Sequence, residues 1–284
     1  MRVSPRDTSI GVRELALDTL VTCWFQAGLP TENLEEVLDG VWGAASWDDA
    51  TLLARLGLER VDVPASAYRV ARDRKFDTFA RIVGPHASGA LLDVGAGGPD
   101  LLERLSAGTR VATDILEAER IAPGISHVVQ ARPDALPFDD ETFDTVLMTG
   151  MAHHLTVDDR NRLLQDAHRC LRPGGNLVLV EETFSKVSGC GTSSEPALQL
   201  AAAKFNGMVR ADQLAFLRFT DWWGNRVMKG SDDIPLPMTF LDLEQWHALL
   251  ADVGLLVTHD HLFGLMSGGG HLATPRALIV AARR

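Results

Sequence analysis

The strongest chemical signal in the chain is a glycine-rich turn in the segment LLDVGAGGPDLLERL, residues 91–105. An apolar run leads into the glycines and an amphipathic run follows them, a pattern typical of a strand, a turn and a helix. Glycine lets the backbone turn sharply and lets a ligand approach main-chain atoms. We therefore expect a ligand at the end of this strand.

The residues beside the glycines distinguish two cofactor classes that use such a turn, dinucleotides and S-adenosylmethionine. A dinucleotide fingerprint GxGxxG that begins at Gly95 would need glycine at position 100, where the chain has Asp100. That carboxylate would repel a pyrophosphate, and Pro99 removes one amide donor from the helix N-terminus. Asp93, two residues before Gly95, instead suits the sulfonium and ammonium charges of S-adenosylmethionine.

Two further acids follow where they could hold the rest of such a cofactor. Asp114 ends the next apolar run, about twenty residues after the turn, and its carboxylate could accept both ribose hydroxyls. Asp134 follows the third run, where it could accept from an adenine amino group while Ala135 and Leu136 pack on the ring. Taken alone, either acid could equally be a solvated strand end or a helix cap.

Candidate catalytic residues follow the fourth and fifth apolar runs. Methyl transfer from a sulfonium is an in-line displacement, so the protein mainly supplies orientation and, in some enzymes, a base. His153 and His154 lie at the sheet edge where ligands bind in such folds, and histidine can accept a proton near neutral pH. Glu181 and Glu182 end the fifth run at the same edge, where either could enter the site, cap a helix or pair with a cation.

Neither histidines nor cysteines predict a metal centre. In the run His259-Asp260-His261 the two histidines share a strand face, but no third ligand is apparent, so we expect an ordinary strand face. Cys23, Cys170 and Cys190 are far apart and form no CxxC pair. We expect reduced thiols and no metal.

From about residue 90 the elements that must position these residues alternate between strands and helices. Continuous apolar runs are typical of strands buried on both faces, as in parallel sheets. Thr156 and Asp159 have capping-box spacing before a helix that Pro173-Gly174-Gly175 should end, and Asp242 with Gln245 should cap a final helix. The predicted strands are residues 90–96, 110–115, 127–131, 143–150 and 176–182, followed by two terminal segments that should pair antiparallel.

These patterns predict an α/β fold with a doubly wound, mostly parallel seven-stranded sheet and an antiparallel terminal hairpin. Residues 1–85 have helical periodicity and form an N-terminal helical region or lid, with one helix capped by Thr31 and another over residues 66–83. Residues 86–284 form the sheet domain, with a substrate-cap insertion at about 183–240.

The insertion is rich in aromatic residues. Phe216, Phe219 and Trp223 share one helical face. They could cover a hydrophobic or planar substrate, pack against other helices or form a dimer interface.

Four motifs in this order resemble the class I (Rossmann-like) S-adenosylmethionine-dependent methyltransferases, above all their small-molecule branch. The motifs are LLDVGAGG, VATD, DALPFDDETFDTVLMTGMAHHL and LRPGGNLVLVEE, within about residues 90–182. The chain departs from the family's DxGxGxG spacing at Pro99, with Gly98 one residue earlier. The resemblance implies that the cofactor is S-adenosylmethionine.

The resemblance also implies a role for individual residues. Asp93, Gly95 and Gly97 would line the methionine and ribose end of the cofactor. Met148 and Thr149, at the end of the fourth strand, would face the methionine moiety. The complete set of predicted cofactor contacts is Asp93, Gly95, Ala96, Gly97, Asp114, Ile115, Asp134, Ala135, Met148 and Thr149.

Charge and hydropathy restrict the partners. The net charge is −11 and no dense basic run occurs, which disfavours binding to a phosphate backbone. The Asn/Asp-Pro-Pro-Tyr motif of amino-directed nucleic-acid methylation is also missing after the fourth strand, where TGMAHH stands. No uninterrupted apolar stretch of about eighteen residues occurs. We therefore expect a cytoplasmic protein that binds neither nucleic acid nor membrane.

The sequence predicts methyl transfer to an oxygen, nitrogen or carbon atom of a small organic acceptor, natural products included. Oxygen is slightly favoured because a histidine base would help it. The protein could act as a homodimer. Three alternatives stay open: a cyclase or decarboxylase that binds the cofactor without using its methyl group, a non-catalytic binding protein, and an RNA or protein methyltransferase.

Overall fold

The structure is a computed structural model that describes residues 9–29, 31–44, 47, 52–56, 65–118, 120–185, 196–230, 233–267 and 272–284. Its contacts divide the chain into two compact units. The helical unit comprises residues 1–75, 184–240 and 263–275, and the sheet unit comprises residues 76–183, 241–262 and 276–284. The N-terminal helices and the aromatic insertion therefore belong to one unit.

The sheet has seven strands in the order β3-β2-β1-β4-β5-β7-β6. The first five pair in parallel, and β7 pairs antiparallel with β5. This is the predicted fold class, a mostly parallel sheet with antiparallel terminal strands. The strands are β1 (Leu91–Val94), β2 (Arg110–Asp114), β3 (Ser126–Val129), β4 (Phe143–Thr149), β5 (Leu171–Glu182), β6 (Leu255–Ser267) and β7 (Ala273–Arg283).

The described residues also form nine α-helices. They are α1 (Ile10–Ala27), α2 (Leu34–Trp42), α3 (Leu52–Arg55), α4 (Ala65–Val83), α5 (Asp100–Glu103), α6 (Val157–Cys170), α7 (Pro196–Gly207), α8 (Arg210–Trp222) and α9 (Leu243–Asp252). Short 3₁₀ turns span Gly84–His86 and Ala152–His154, and a π-helical turn spans Trp223–Met228.

Local sequence signals placed several helix ends correctly. The Thr156 hydroxyl accepts from the amide of Asp159 and begins α6, as predicted. Asp242 and Gln245 form the predicted capping box of α9. The predicted helix over residues 66–83 is α4.

Three local predictions are wrong in detail. Helix α2 begins after Asn33, which adopts a left-handed φ of 69°, and not after a Thr31 cap. Helix α6 ends at Cys170 rather than at Pro173, because Leu171 already pairs with Phe143 in β4 and the register shifts beyond it. Strand β3 lies at the sheet edge and is not fully buried.

The core of the sheet unit lies between its strands and helices α6 and α9. Strands β1, β4 and β5 contribute side chains with almost no exposure, such as Leu92, Val146 and Leu179. Helix α6 contributes Leu163 and Leu164 from one face. This packing fixes the carboxyl ends of β1, β4 and β5, where the chemistry-bearing residues lie.

The core of the helical unit is aromatic. Trp223 contacts Trp24 with ring centroids 6.5 Å apart, and Phe219 contacts Trp47 at 5.2 Å. The three residues expected on one face of the insertion, Phe216, Phe219 and Trp223, are all fully buried in this core. Their proposed role over a substrate stays a prediction.

The structure also describes two of the three cysteines and the length and hydropathy of the helices. Cys23 and Cys170 are buried, whereas Cys190 lies outside the described residues. No helix among the described residues is long and apolar enough to span a membrane.

Candidate functional site

The glycine turn follows β1 and is held by backbone bonds to the end of β2. Gly95 and Gly97 have φ of 68° and 60°, values that favour glycine. The amides of Gly95 and Ala96 donate to the carbonyl of Thr113. A Cβ at position 95 would lie 2.9 Å from Met151, whereas one at position 97 would meet nothing within 4 Å. The backbone at Gly97 is therefore open to a ligand.

Asp93 is the most unusual acid of this turn. It lies within β1 with 1% of its surface exposed, and its Oδ1 has no hydrogen-bond partner among the described residues. Burial, with a smaller contribution from the negative charge of Asp114, raises the pKa of Asp93 to about 8. A buried carboxyl oxygen without a donor is a candidate partner for a ligand donor.

Asp114 lies at the tip of β2, where the sequence predicted a ribose contact. Its Oδ2 accepts from the amide of Gly97 at 2.9 Å, and its Oδ1 accepts from the amide of Leu116 at 3.0 Å. A carboxylate offers about four acceptor positions, so two amides leave room for two hydroxyls. Ile115 is 39% exposed and available for contact with a planar ring.

Asp134 lies in a cluster of ion pairs. Arg132 binds both of its oxygens at 2.9 and 2.6 Å, and Arg162 contacts Oδ2 at 2.6 Å. These two guanidinium groups lower the pKa of Asp134 to about 2. An adenine amine would have to share these oxygens, so the adenine contact of Asp134 and Ala135 stays a prediction.

The end of β4 lies beside the glycine turn. Met148 is fully buried in the sheet core and Thr149 is half-buried. Gly150 then takes a φ of 64°, and its amide donates to the carbonyl of Val180 in β5. Thr149 is the better placed of the two for ligand contact, because Met148 already packs in the core.

His153 and Glu181 form a buried pair on the turn after β4. The Nδ1 of His153 lies 2.7 Å from Oε2 of Glu181, and their side chains are 5% and 1% exposed. The other oxygen of Glu181 accepts from the amides of Met151 and Ala152, both at 2.8 Å. The ring of His154 is half-buried, 4.2 Å from that of His153 between centroids. Glu181 therefore holds both the turn and one candidate base.

Two buried arginines that the sequence analysis missed lie around this pair. Arg276 in β7 pairs with Glu182 at 2.5 Å, opposite it in the strand register, and packs over Phe79. Arg160 in α6 is 4% exposed, and burial lowers its pKa although the charge of Glu181 partly opposes that shift. Both arginines lie far from the glutamates in sequence, so no local pattern pointed to them.

The histidines and acids of this site have the spacing of a metal centre, but Glu181 and one oxygen of Glu182 are already engaged by other groups. Ligand atoms of His153, Glu181 and Glu182 lie within 4.8 Å of one another. The oxygens of Glu181 accept three hydrogen bonds, and Glu182 pairs with Arg276. Of the other two histidines considered, His259 stacks on His86 with ring centroids 5.3 Å apart.

These features fit S-adenosylmethionine. Asp93 presents an unsatisfied acceptor to an ammonium or hydroxyl donor, and the open face of Gly97 leaves space for a ligand. Asp114 retains acceptor capacity at the next strand tip. An anionic pyrophosphate would instead face the carboxylate of Asp114.

Comparison with known proteins agrees with this chemistry. Residues 92–179 match the protein family described as a methyltransferase domain. The ubiquinone/menaquinone biosynthesis C-methyltransferase UbiE of Pectobacterium carotovorum is 37% identical over 94 residues, which are 33% of this chain and 36% of that protein. The enzyme of the same name from Hahella chejuensis is 34% identical over 108 residues, 38% of this chain and 37% of its own length.

The similarity to these curated relatives thus spans little more than a third of their length. A solved structure covers more of the chain: one chain of the complex between the Haloferax volcanii Trm112 methyltransferase activator and a methyltransferase. It superposes with a TM-score of 0.51 at 15% identity, over 77% of this chain and 94% of its own. That likeness shows a shared fold. Residues 92–179 therefore match a methyltransferase domain, in a chain whose sheet has the doubly wound, Rossmann-like strand order and whose glycine turn follows the first strand.

Proposed function

We propose that the protein transfers a methyl group from S-adenosylmethionine to a small organic acceptor. The observation that carries the proposal is the ligand-ready turn after β1, where Asp93 has a buried oxygen without a partner and Gly97 has an open face. The bound cofactor supplies an electrophilic methyl group on a positively charged sulfur. The residues of the chain bind it, orient it and accept a proton.

Each residue of the proposed site has one task. Asp93 accepts from the cofactor's charged donors, and Asp114 holds the ribose while fixing the amide of Gly97. Thr149 lies at the end of β4, on the methionine side. His153 or His154 accepts the proton that the acceptor loses.

Two observations support a small acceptor over a nucleic acid. The net charge of −11 disfavours a polyanion. The curated relatives are named for methylation in the biosynthesis of ubiquinone and menaquinone, which are small molecules. The cytoplasmic location and the homodimer remain predictions.

Thermal denaturation tests the cofactor. S-adenosylmethionine and S-adenosylhomocysteine should raise the melting temperature of the chain, and NAD should not. Asp114→Ala should abolish the shift, whereas Arg120→Ala, at an exposed ion pair with Glu103, should retain it. A shift with NAD alone would contradict the proposal.

Mass spectrometry tests the reaction. The chain is incubated with S-adenosylmethionine and a panel of 1,4-naphthohydroquinone, catechol, phenethylamine and tyrosine. A gain of one methyl group in any of them supports methyl transfer. Conversion of the cofactor itself, with no methylated product, would identify the cyclase or decarboxylase alternative instead.

A further inference from the structure

A buried carboxylate on the turn after β4 has a role that the proposed function does not yet assign. Glu181 receives three hydrogen bonds from three consecutive residues, the amides of Met151 and Ala152 and the ring of His153. A helix cap would need only the amides. The third bond fixes the orientation of the imidazole ring.

The bond from the ring determines which nitrogen is basic. A carboxylate can only accept hydrogen bonds, so Nδ1 of His153 carries the hydrogen in the neutral ring. The lone pair then belongs to Nε2, on the far side of the ring from Glu181. A carboxylate at Nδ1 also favours the charged imidazolium that forms when Nε2 takes a proton.

The charged groups around Glu181 leave it able to accept the hydrogen bond from His153. The neighbouring Glu182 lies 3.4 Å from Nδ1 but is paired with Arg276, and Arg160 faces Glu181 from α6. The two carboxylates are therefore balanced by two guanidinium groups. His154, with its ring beside that of His153, is a further titratable neighbour.

We propose that Glu181 is a positioning residue that holds His153 with Nε2 as the proton acceptor for methyl transfer. This inference rests on the proposed function. As the acceptor's X–H bond breaks, its electron pair forms the bond to the methyl carbon and its proton passes to Nε2 of His153. Sulfur keeps the electron pair of the broken S–C bond, and the charge that was on sulfur ends on the imidazolium, next to Glu181.

Nuclear magnetic resonance of the histidine-¹⁵N-labelled full chain, free and with S-adenosylhomocysteine, tests the positioning directly. His153→Gln and His154→Gln assign the two rings. The neutral His153 ring should carry its hydrogen on Nδ1. In Glu181→Gln the side-chain oxygen can accept from the two backbone amides, and the side-chain NH2 can donate to Nδ1 of His153. The ring hydrogen should therefore move largely to Nε2. An Nε2–H ring in the unaltered chain, or an unchanged ring in Glu181→Gln, would overturn the proposal.

A control variant and a kinetic readout separate positioning from folding. Glu182→Gln, the adjacent carboxylate, should leave the His153 tautomer unchanged. With whichever panel acceptor is methylated, Glu181→Gln should lower kcat by about 10- to 100-fold with little change in the KM for the cofactor. Its acidic pH limb should move to lower pH, because loss of the carboxylate lowers the pKa of His153. An unchanged pH profile would contradict the role of Glu181.

The experiments can contradict the proposed function and the positioning role of Glu181 independently. If S-adenosylmethionine does not bind, the proposed function is wrong, while the tautomer measurement still reports on Glu181. If methylation occurs but the His153 ring does not respond to Glu181→Gln, only the positioning role is wrong.

Discussion

The described part of the helical unit buries only neutral polar side chains, whereas the sheet unit also buries ionisable ones. In the described part of the helical unit the buried polar residues are Thr19, Gln213, Thr220, Asn225 and Thr274. In the sheet unit they include Asp93, Asp134, His153, Arg160, Glu181 and Arg276. All the buried acidic, basic and histidine side chains of the described residues are therefore in the sheet unit.

This difference distinguishes buried side chains that stabilise the fold from buried side chains that could bind a ligand. Removing a charge from water is costly unless hydrogen bonds and opposite charges replace the solvent. Glu181 and Arg276 have such replacements, but Oδ1 of Asp93 has none. The helical unit instead gains stability from aromatic contacts. Its stability should thus depend on packing, and that of the sheet unit on pH and ligand.

The largest effect should come from Asp93→Asn, and it should depend on pH. Because the folded-state pKa of about 8 is above the ordinary value of 3.8, the folded protein loses stability as pH rises from about 4 to 8. Asn lacks this loss, so the variant should gain up to about 5 kcal/mol over the unaltered chain by pH 8. Urea unfolding at pH 5 and 8 measures it. A difference that does not grow with pH would show that Asp93 is not buried as a neutral acid.

In the helical unit, Trp223→Ala should cost about 4 kcal/mol at every pH, because it removes a fully buried ring from the aromatic core. Phe25→Ala in α1 is the control, since Phe25 is 78% exposed and should change stability by less than about 0.5 kcal/mol. Chemical denaturation at pH 5 and 8 compares them. A pH-dependent loss in Trp223→Ala would weaken the contrast between the units.

The buried ion pair of the sheet unit should be nearly as sensitive. Arg276→Met leaves the carboxylate of Glu182 buried without its cation and should cost about 3 kcal/mol. The double variant Arg276→Met/Glu182→Gln removes both charges and should recover much of that loss. Equal unfolding free energies for the single and double variants would show that the charge of Glu182 does not matter.

Three glycines with positive φ distinguish strain from ligand space. Gly97→Ala and Gly174→Ala each place a Cβ in open space and should cost about 1 kcal/mol. Gly95→Ala meets Met151 as well and should cost about 2 kcal/mol. Only Gly97→Ala should combine near-normal stability with loss of the thermal shift by S-adenosylmethionine. The same loss in Gly174→Ala would remove the argument for a ligand at Gly97.

The smallest effect should come from an exposed pair of the sheet unit. Arg120 is 51% exposed and contacts Glu103 at 2.5 Å. Arg120→Ala should cost at most about 1 kcal/mol, and less in high salt, because solvent screens the pair. Urea unfolding at low and high salt checks it. A loss as large as that of Arg276→Met would mean that burial does not decide the energy of these pairs.

The sequence alone determined the features that depend on neighbouring residues. Apolar runs predicted β1 to β5 to within a few residues at most ends, apart from the early start of β5, and the residues around Thr156 and Asp242 predicted two helix starts. The glycine turn with Asp93 predicted the cofactor class, which the family match supports. These succeed because turn geometry, capping and strand burial are set within a few positions along the chain.

Only the tertiary structure decided how the charged groups are paired. Glu181 meets His153 across 28 residues, and Glu182 meets Arg276 across two antiparallel strands. Asp134, for which the sequence predicted an adenine contact, pairs with Arg162 across 28 residues. Such pairs depend on distance in space and on the exclusion of water, and neither quantity is encoded in the spacing of residues along the chain.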